Sequence, residues 1–366
     1  MKNRCLAALL IAGALFNNAA LAQTSRPPPI VLEKSGGFVI GGTVIENPRD
    51  PTKHLSCDHG YVEYFLPATP RKTSLVMWHS SSTQVWQNRW DGGEGFKDMF
   101  LRRNYPVYLW DGPRVGRANW SCEPVTYTPG YRDEGNFPSW NFGKRFPEWW
   151  SDTQFPKENT QAWKDATASR YDEFDLLKNI QIETDAAAIA ADSGRLGDSI
   201  VYLTNSAGGL RAMVTATKAM KNNIAGIVTY ESIGYVFPIG DPESPKLCTD
   251  PNACGFGPTG VPLEDFKKLA KLKSIQFVWG DHRGANDRNY EYVEQSRLSA
   301  KLINKYGGHA QVLMLGEDAG LKGSTHIPFM DMDNEKVADL LDVFLKTARL
   351  DAYQSGAPKG EWRWRK

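Results

Sequence analysis

The chain has 366 residues, with 43 Lys and Arg against 42 Asp and Glu. A formal net charge of +1 gives no electrostatic footprint for nucleic acid or an anionic membrane, so neither is expected as a partner. With 41% hydrophobic residues, the chain can bury a large core in one elaborated α/β domain or in two domains.

Residues 1–22 read as a secretory signal. Lys2 and Arg4 form a basic start, residues 6–16 are apolar but too short to span a bilayer, and Ala20-Leu21-Ala22 is a small-residue cleavage pattern. Cleavage near Ala22 makes residues 23–366 a secreted or periplasmic protein with no membrane span. Cys5 leaves with the signal, and Cys57, Cys122, Cys248 and Cys254 remain. An even count in an exported chain points to disulfides. Cys248–Cys254 closes a short loop, which leaves Cys57–Cys122 by elimination. His54, Cys57 and His59 lack a second ligand pair nearby, so a zinc reading is disfavoured. No metal or organic cofactor is expected.

Residues 38–45 and 61–65 predict an antiparallel lead-in pair. Short apolar runs at 75–78, 107–110, 199–204, 224–230, 275–279 and 311–315 then alternate with helical segments at 96–103, 173–191, 207–220 and 290–306. A last helix carries Val337, Leu340, Leu341, Phe344 and Leu345 at helical spacing. This alternation predicts a mostly parallel sheet with helices on both faces. Residues 113–172 and 233–271 are too long for ordinary connections. Both leave strand ends, so they are read as cap insertions over a ligand crevice. The first is rich in aromatics, among which Trp120, Trp149 and Trp150 are candidate substrate contacts.

The strand at 199–204 runs into the helix at 207 through Asn205-Ser206-Ala207-Gly208-Gly209. A serine on so sharp a strand-to-helix turn is pushed out of the chain, which is the placement of a nucleophile elbow. A serine hydroxyl needs a base, and the base needs a carboxylate. Of the histidines, only His326 follows the last strand, where this order of groups requires it. His282, His309, His54 and His59 fall elsewhere. Glu231 and Asp281 each end a strand at the same sheet edge and compete as the acid, and the residues alone leave that choice open. Transition-state stabilisation needs two N–H donors. Ala207 supplies one, and the turn His79-Ser80-Ser81-Ser82 supplies the second through Ser80 or Ser81. Residues 331–334 are read as a cap of the last helix rather than a calcium loop.

With these motifs in place, the chain resembles the α/β-hydrolase superfamily, and within it a branch of secreted bacterial serine esterases whose triad acid follows strand six. The resemblance rests on Asn205-Ser206-Ala207-Gly208-Gly209, Tyr230-Glu231-Ser232 with Val236-Phe237-Pro238, Trp279-Gly280-Asp281, Ser324-Thr325-His326-Ile327-Pro328, and Asp111-Gly112-Pro113-Arg114-Val115-Gly116-Arg117. It implies an α/β-hydrolase fold with Ser206 as nucleophile, Glu231 as acid and His326 as base. Two departures stand out: Thr204 replaces the first glycine of the usual turn, and Ser80 replaces the glycine after His79. The expected activity is hydrolysis of a small to medium carboxylic ester through an acyl-enzyme. The alternatives are lactone, amide or carbon–carbon hydrolysis, and a non-catalytic binding protein on the same scaffold.

Overall fold

A computed structural model describes residues 27–79, 83–169, 176–250 and 254–355. The signal reading of residues 1–22 and the tail 356–366 lie outside the described residues.

The main sheet has eight strands, numbered here in chain order: β1 Leu32–Ile40, β2 Gly60–Pro67, β3 Ser74–His79, β4 Val107–Asp111, β5 Ile200–Asn205, β6 Ile224–Tyr230, β7 Ser274–Trp279 and β8 Ala310–Met314. Their order across the sheet is β1-β2-β4-β3-β5-β6-β7-β8. The β1–β2 and β2–β4 pairs are antiparallel, and every other pair is parallel. The central strands are apolar runs because both of their faces are buried. Along β5, Ile200 and Tyr202 point into one core and Val201 and Leu203 into the other.

The helices, in chain order, are α1 Phe96–Arg102, α2 Asp133–Ser139, α3 Thr160–Ala168, α4 Leu177–Asp192, α5 Ala207–Lys218, α6 Leu263–Ala270, α7 Tyr290–Lys305, the single turn α8 Leu315–Asp318, and α9 Asn334–Thr347. Ile180 of α4, Met213 of α5, Phe266 of α6 and Ile303 of α7 fill the first core. Phe100 of α1 and Leu341 and Phe344 of α9 fill the second. The mostly parallel, two-faced sheet expected from the alternation is therefore present.

The lead-in differs from the expectation at one point. The run 38–45 is not a single strand, because Gly41 and Gly42 take φ of +74° and +75° and turn the chain. Residues up to Ile40 pair with β2, with Phe38 opposite Val62. Thr43–Asn47 instead pairs with Asp50–Cys57 in a separate exposed hairpin.

The insertion at 113–172 has its own aromatic core. Phe142 and Phe155 lie 4.5 Å apart between ring centroids, Phe137 and Trp149 4.7 Å, and Trp149 and Phe155 5.1 Å. This cluster is continuous with the second sheet core. In the segment 233–271, Val236–Pro238 pairs with Thr259–Val261, and α6 then packs Phe266 and Leu269 into the first core. Disulfides join Cys57 to Cys122 and Cys248 to Cys254. Cys57 is therefore not a metal ligand. Among the described residues no helix is long and apolar enough to cross a membrane.

Candidate active site

Strand β5 ends at Asn205 and α5 begins at Ala207, so Ser206 alone makes the turn. Its φ of 54° and ψ of −133° lie where side chains are strained, and strain of this kind persists only when the surroundings fix it. The Ser206 N–H donates to the Tyr230 carbonyl at 3.1 Å, and the Ser206 carbonyl accepts from Gly209 and Ile233 N–H at 3.1 and 3.2 Å. Helix α5 lies hard against the sheet. A Cβ on Gly209 would come within 2.1 Å of Ser232 Oγ, and one on Gly208 within 2.9 Å of the Trp78 carbonyl. The same Cβ on Gly208 would be 3.5 Å from Thr204 Cβ. That is ordinary contact, so the β-branched Thr204 does not crowd the turn.

His326 lies in the loop between α8 and α9 and is buried beside the serine turn. Its N–H donates to the Trp140 carbonyl at 2.9 Å. Its carbonyl accepts from Asn205 Nδ2 at 2.8 Å, and the same amide donates to Tyr230 O at 2.9 Å. Asn205 thus joins β5, β6 and the histidine loop. One residue before His326, Thr325 donates its N–H and Oγ1 to Asp331, both at 2.7 Å, and Trp90 Nε1 donates to the same carboxylate at 3.2 Å. The expected helix cap at 331–334 takes a different form. Asp333 precedes α9 without a side-chain cap, while Asp331 anchors the histidine loop.

The two candidate acids are placed differently. Glu231 Oε2 is 3.2 Å from His326 Nδ1. Asp281 Oδ2 accepts from Gly323 N–H at 2.9 Å, and the histidine facing it is His282, with Nε2 at 3.9 Å. Glu231 is fully buried, at φ of 52°. Its Oε1 accepts from Gly280 N–H at 2.6 Å and from Arg283 Nε at 3.1 Å, and Arg283 Nη2 holds Oε2. Burial pushes the Glu231 carboxyl up, but the Arg283 charge and the His326 and Arg283 hydrogen bonds outweigh it and hold it below its ordinary value. For Arg283, burial works against the charge, and Glu231 and Asp287 more than offset it.

Arg283 was not anticipated from the sequence. The available signal was that a carboxylate at a strand end inside the sheet edge needs a buried cation, and Arg283 follows β7 within four residues. The other arginines of the resemblance motif hold the fold. Arg114 makes a two-point contact with Asp58 at 2.8 and 3.0 Å, and Arg117 bridges Asp111 and Glu63.

Ala207 opens α5, so its N–H has no intrahelical acceptor and the positive helix end faces the turn. Ser80 and Ser81 lie outside the described residues. His79, just before them, pairs in register with Asn205. A cavity of about 260 Å³ adjoins Ser206 and His326. Trp90, Trp140, Ile327 and Met330 give it an apolar side, and Gln84, Gln87 and Asn88 a polar one. None of the three expected tryptophans lines it. Trp120 is 68% exposed, Trp149 packs in the aromatic cluster, and Trp150 stacks on His282. Trp140, from the same insertion, lines the cavity.

No family model matches the chain. A curated fungal relative, "Probable secreted lipase phiG" of Fungal sp. (strain ATCC 74256), is 23% identical over 314 residues, covering 77% of this chain and 84% of the relative. A solved structure described as that of a novel bacterial esterase is 23% identical, covers 88% of this chain and 98% of its own, and superposes with a TM-score of 0.70. With the strand order above, that likeness shows that this chain has the α/β-hydrolase fold.

Proposed function

We propose that the protein is an exported serine hydrolase acting on small to medium carboxylic esters. The observation that carries this reading is the convergence of three groups. Ser206 is on a strained strand-to-helix turn, His326 shares its cavity, and Glu231 is bonded to the far nitrogen of that imidazole. In this reading Ser206 Oγ attacks the ester carbonyl carbon while His326 Nε2 takes its proton. The tetrahedral oxyanion is held by the Ala207 N–H and by a second donor from the turn at Ser80 and Ser81. His326 then protonates the leaving alcohol, and the acyl-enzyme remains on Ser206. Water, deprotonated by His326, attacks that acyl carbon and releases the acid. Glu231 keeps Nδ1 protonated and stabilises the imidazolium.

The names of the bacterial and fungal relatives, an esterase and a lipase, support ester chemistry over the lactone, amide and carbon–carbon alternatives. The cavity supports a short substrate, since about 260 Å³ falls below the range typical of drug-sized ligands. The two disulfides and a relative called secreted support export. The segments 113–172 and 233–271 remain cap candidates, with Trp140 as the tryptophan facing substrate. Hydrolysis of p-nitrophenyl acetate and butyrate by the wild type and by Ser206→Ala tests the reading. The variant is expected to lose at least about 10³-fold in kcat, and near-wild-type turnover would overturn it. Covalent labelling of Ser206 by a fluorophosphonate separates an enzyme from a binding protein on this scaffold.

A further inference from the structure

We propose that Asp152, Asp281 and His282 form a binding site for a divalent metal ion of the zinc class, and that this ion clamps the 113–172 insertion to the loop that follows β7. Each residue offers one ligand atom, and the three atoms lie within 4.8 Å of one another. His282 Nε2 is 2.9 Å from Asp152 Oδ1 and 3.9 Å from Asp281 Oδ2. Zinc bonds of about 2.0–2.2 Å in a tetrahedral shell put ligand atoms roughly 3.4 Å apart, a value bracketed by those two distances. One imidazole and two carboxylates suit zinc and its neighbours better than calcium or magnesium, which prefer all-oxygen shells. A fourth position stays open for water.

The surroundings are those of a built site. His282 sits at φ of 56°, a conformation rare for a residue with a side chain. Its ring stacks on Trp150 at 4.3 Å between centroids, which fixes the direction of Nε2. Trp150 Nε1 donates to Asn141 Oδ1 at 3.2 Å, and Asn141 Nδ2 donates to the Asp281 carbonyl at 2.6 Å. Asp281 Oδ2 accepts from Gly323 N–H at 2.9 Å, leaving further lone pairs for an ion. The Gly323 bond, made to the carboxylate itself, is of the kind that orients a metal ligand. Lys322 Nζ, 3.8 Å from Asp281 Oδ1, is on a side chain 62% exposed and can withdraw to solvent.

The site also has a mechanical position. Asp152 belongs to the insertion, Asp281 and His282 follow β7, and Gly323 stands three residues before His326. The backbones of Asp152 and Gly323 touch, since a Cβ on Gly323 would lie 1.7 Å from the Asp152 carbonyl. Asp152 and His282 are 130 residues apart in the chain, so no local ligand spacing announces the site.

The test uses the full purified chain, stripped with EDTA and then titrated with ZnCl₂, with CaCl₂ as the control. Zinc at 100 times its Kd is expected to raise Tm by roughly 5 °C, with one ion bound per chain by calorimetry and little response to calcium. His282→Asn, which tolerates the same backbone conformation, and the exposed Asp152→Asn are each expected to abolish most of that shift. No shift in the wild type, or an equal shift in both variants, overturns the proposal. Neither readout depends on catalytic activity, so this test stands apart from that of the esterase reading.

Discussion

Arg283 grips both oxygens of Glu231, the same carboxylate that meets His326 Nδ1 at 3.2 Å. All three side chains are buried. A lone carboxylate in such a place would take up a proton rather than stay charged. With Arg283 and the Gly280 N–H satisfying it, Glu231 remains an anion and can orient the imidazole.

The first prediction separates the two carboxylates. Glu231→Gln is expected to lower kcat for p-nitrophenyl butyrate by about 10³–10⁴-fold, the scale seen when a triad acid becomes an amide. Asp281→Asn is expected to cost less than about tenfold, because Asp281 bonds to Gly323 and not to His326. Steady-state kinetics on both variants decides the assignment, and the reverse ranking would move it to Asp281.

Arg283 is a positioning residue whose loss leaves a buried carboxyl without its cation. Arg283→Met is expected to destabilise the fold by about 3–5 kcal/mol, as breaking one side of a buried pair does. In any folded fraction Glu231, now without its cation, holds its proton to higher pH, so the acid limb of kcat/KM moves to higher pH. Arg283→Lys keeps the charge and should leave that limb nearer its wild-type place. Stability carries its own signature. Glu231 is held below its ordinary value, so its contribution is present above the unfolded pKa of about 4.3. It is lost as pH falls through the lower folded value. The stability gap between wild type and Glu231→Gln, measured by urea unfolding, should shrink below about pH 4.

Asn205→Ala removes the two donors that reach the Tyr230 and His326 carbonyls. The Tyr230 carbonyl keeps the Ser206 N–H, so the buried His326 carbonyl is the acceptor that loses its donor, at an expected cost of about 1–3 kcal/mol in stability. The histidine loop also loses its tie to β5, so kcat should fall by about 10–100-fold with KM little changed. A variant that loses stability but keeps kcat would restrict Asn205 to a structural role.

The disulfides should rank by the length of chain they close. Cys57 and Cys122 are 65 residues apart, and Cys248 and Cys254 only 6. Chain entropy gives about 4 kcal/mol for the first and about 2 kcal/mol for the second. Paired Cys→Ser variants compared by denaturant midpoint test this order. Neither pair is expected to change kcat at 25 °C by more than about twofold, since neither touches the Ser206 cavity.

The parts that could be read from sequence are those governed by local pattern. Apolar runs such as Ile200–Asn205 and Ile224–Tyr230 predict strands because a strand buried on both faces needs no polar alternation. The one-residue step from Asn205 to Ala207 places Ser206 on a sharp turn whatever lies around it, and chain order alone brings His326 to the matching edge of the sheet. Gly41 and Gly42, both at positive φ, divide into two strands what the apolar pattern of 38–45 reads as one.

The tertiary structure decided what adjacency in the chain does not encode. Glu231 and Asp281 leave neighbouring parallel strands at the same edge, and their sequence contexts are equally compatible with an acid. The structure distinguishes them because Gly323 N–H and His282 engage Asp281, while Arg283 and Gly280 hold Glu231 at the imidazole. It also placed Trp140, not Trp120, Trp149 or Trp150, in the cavity wall. All four are aromatic residues of one insertion, so only the packing of that insertion against the sheet core fixes which ring faces Ser206.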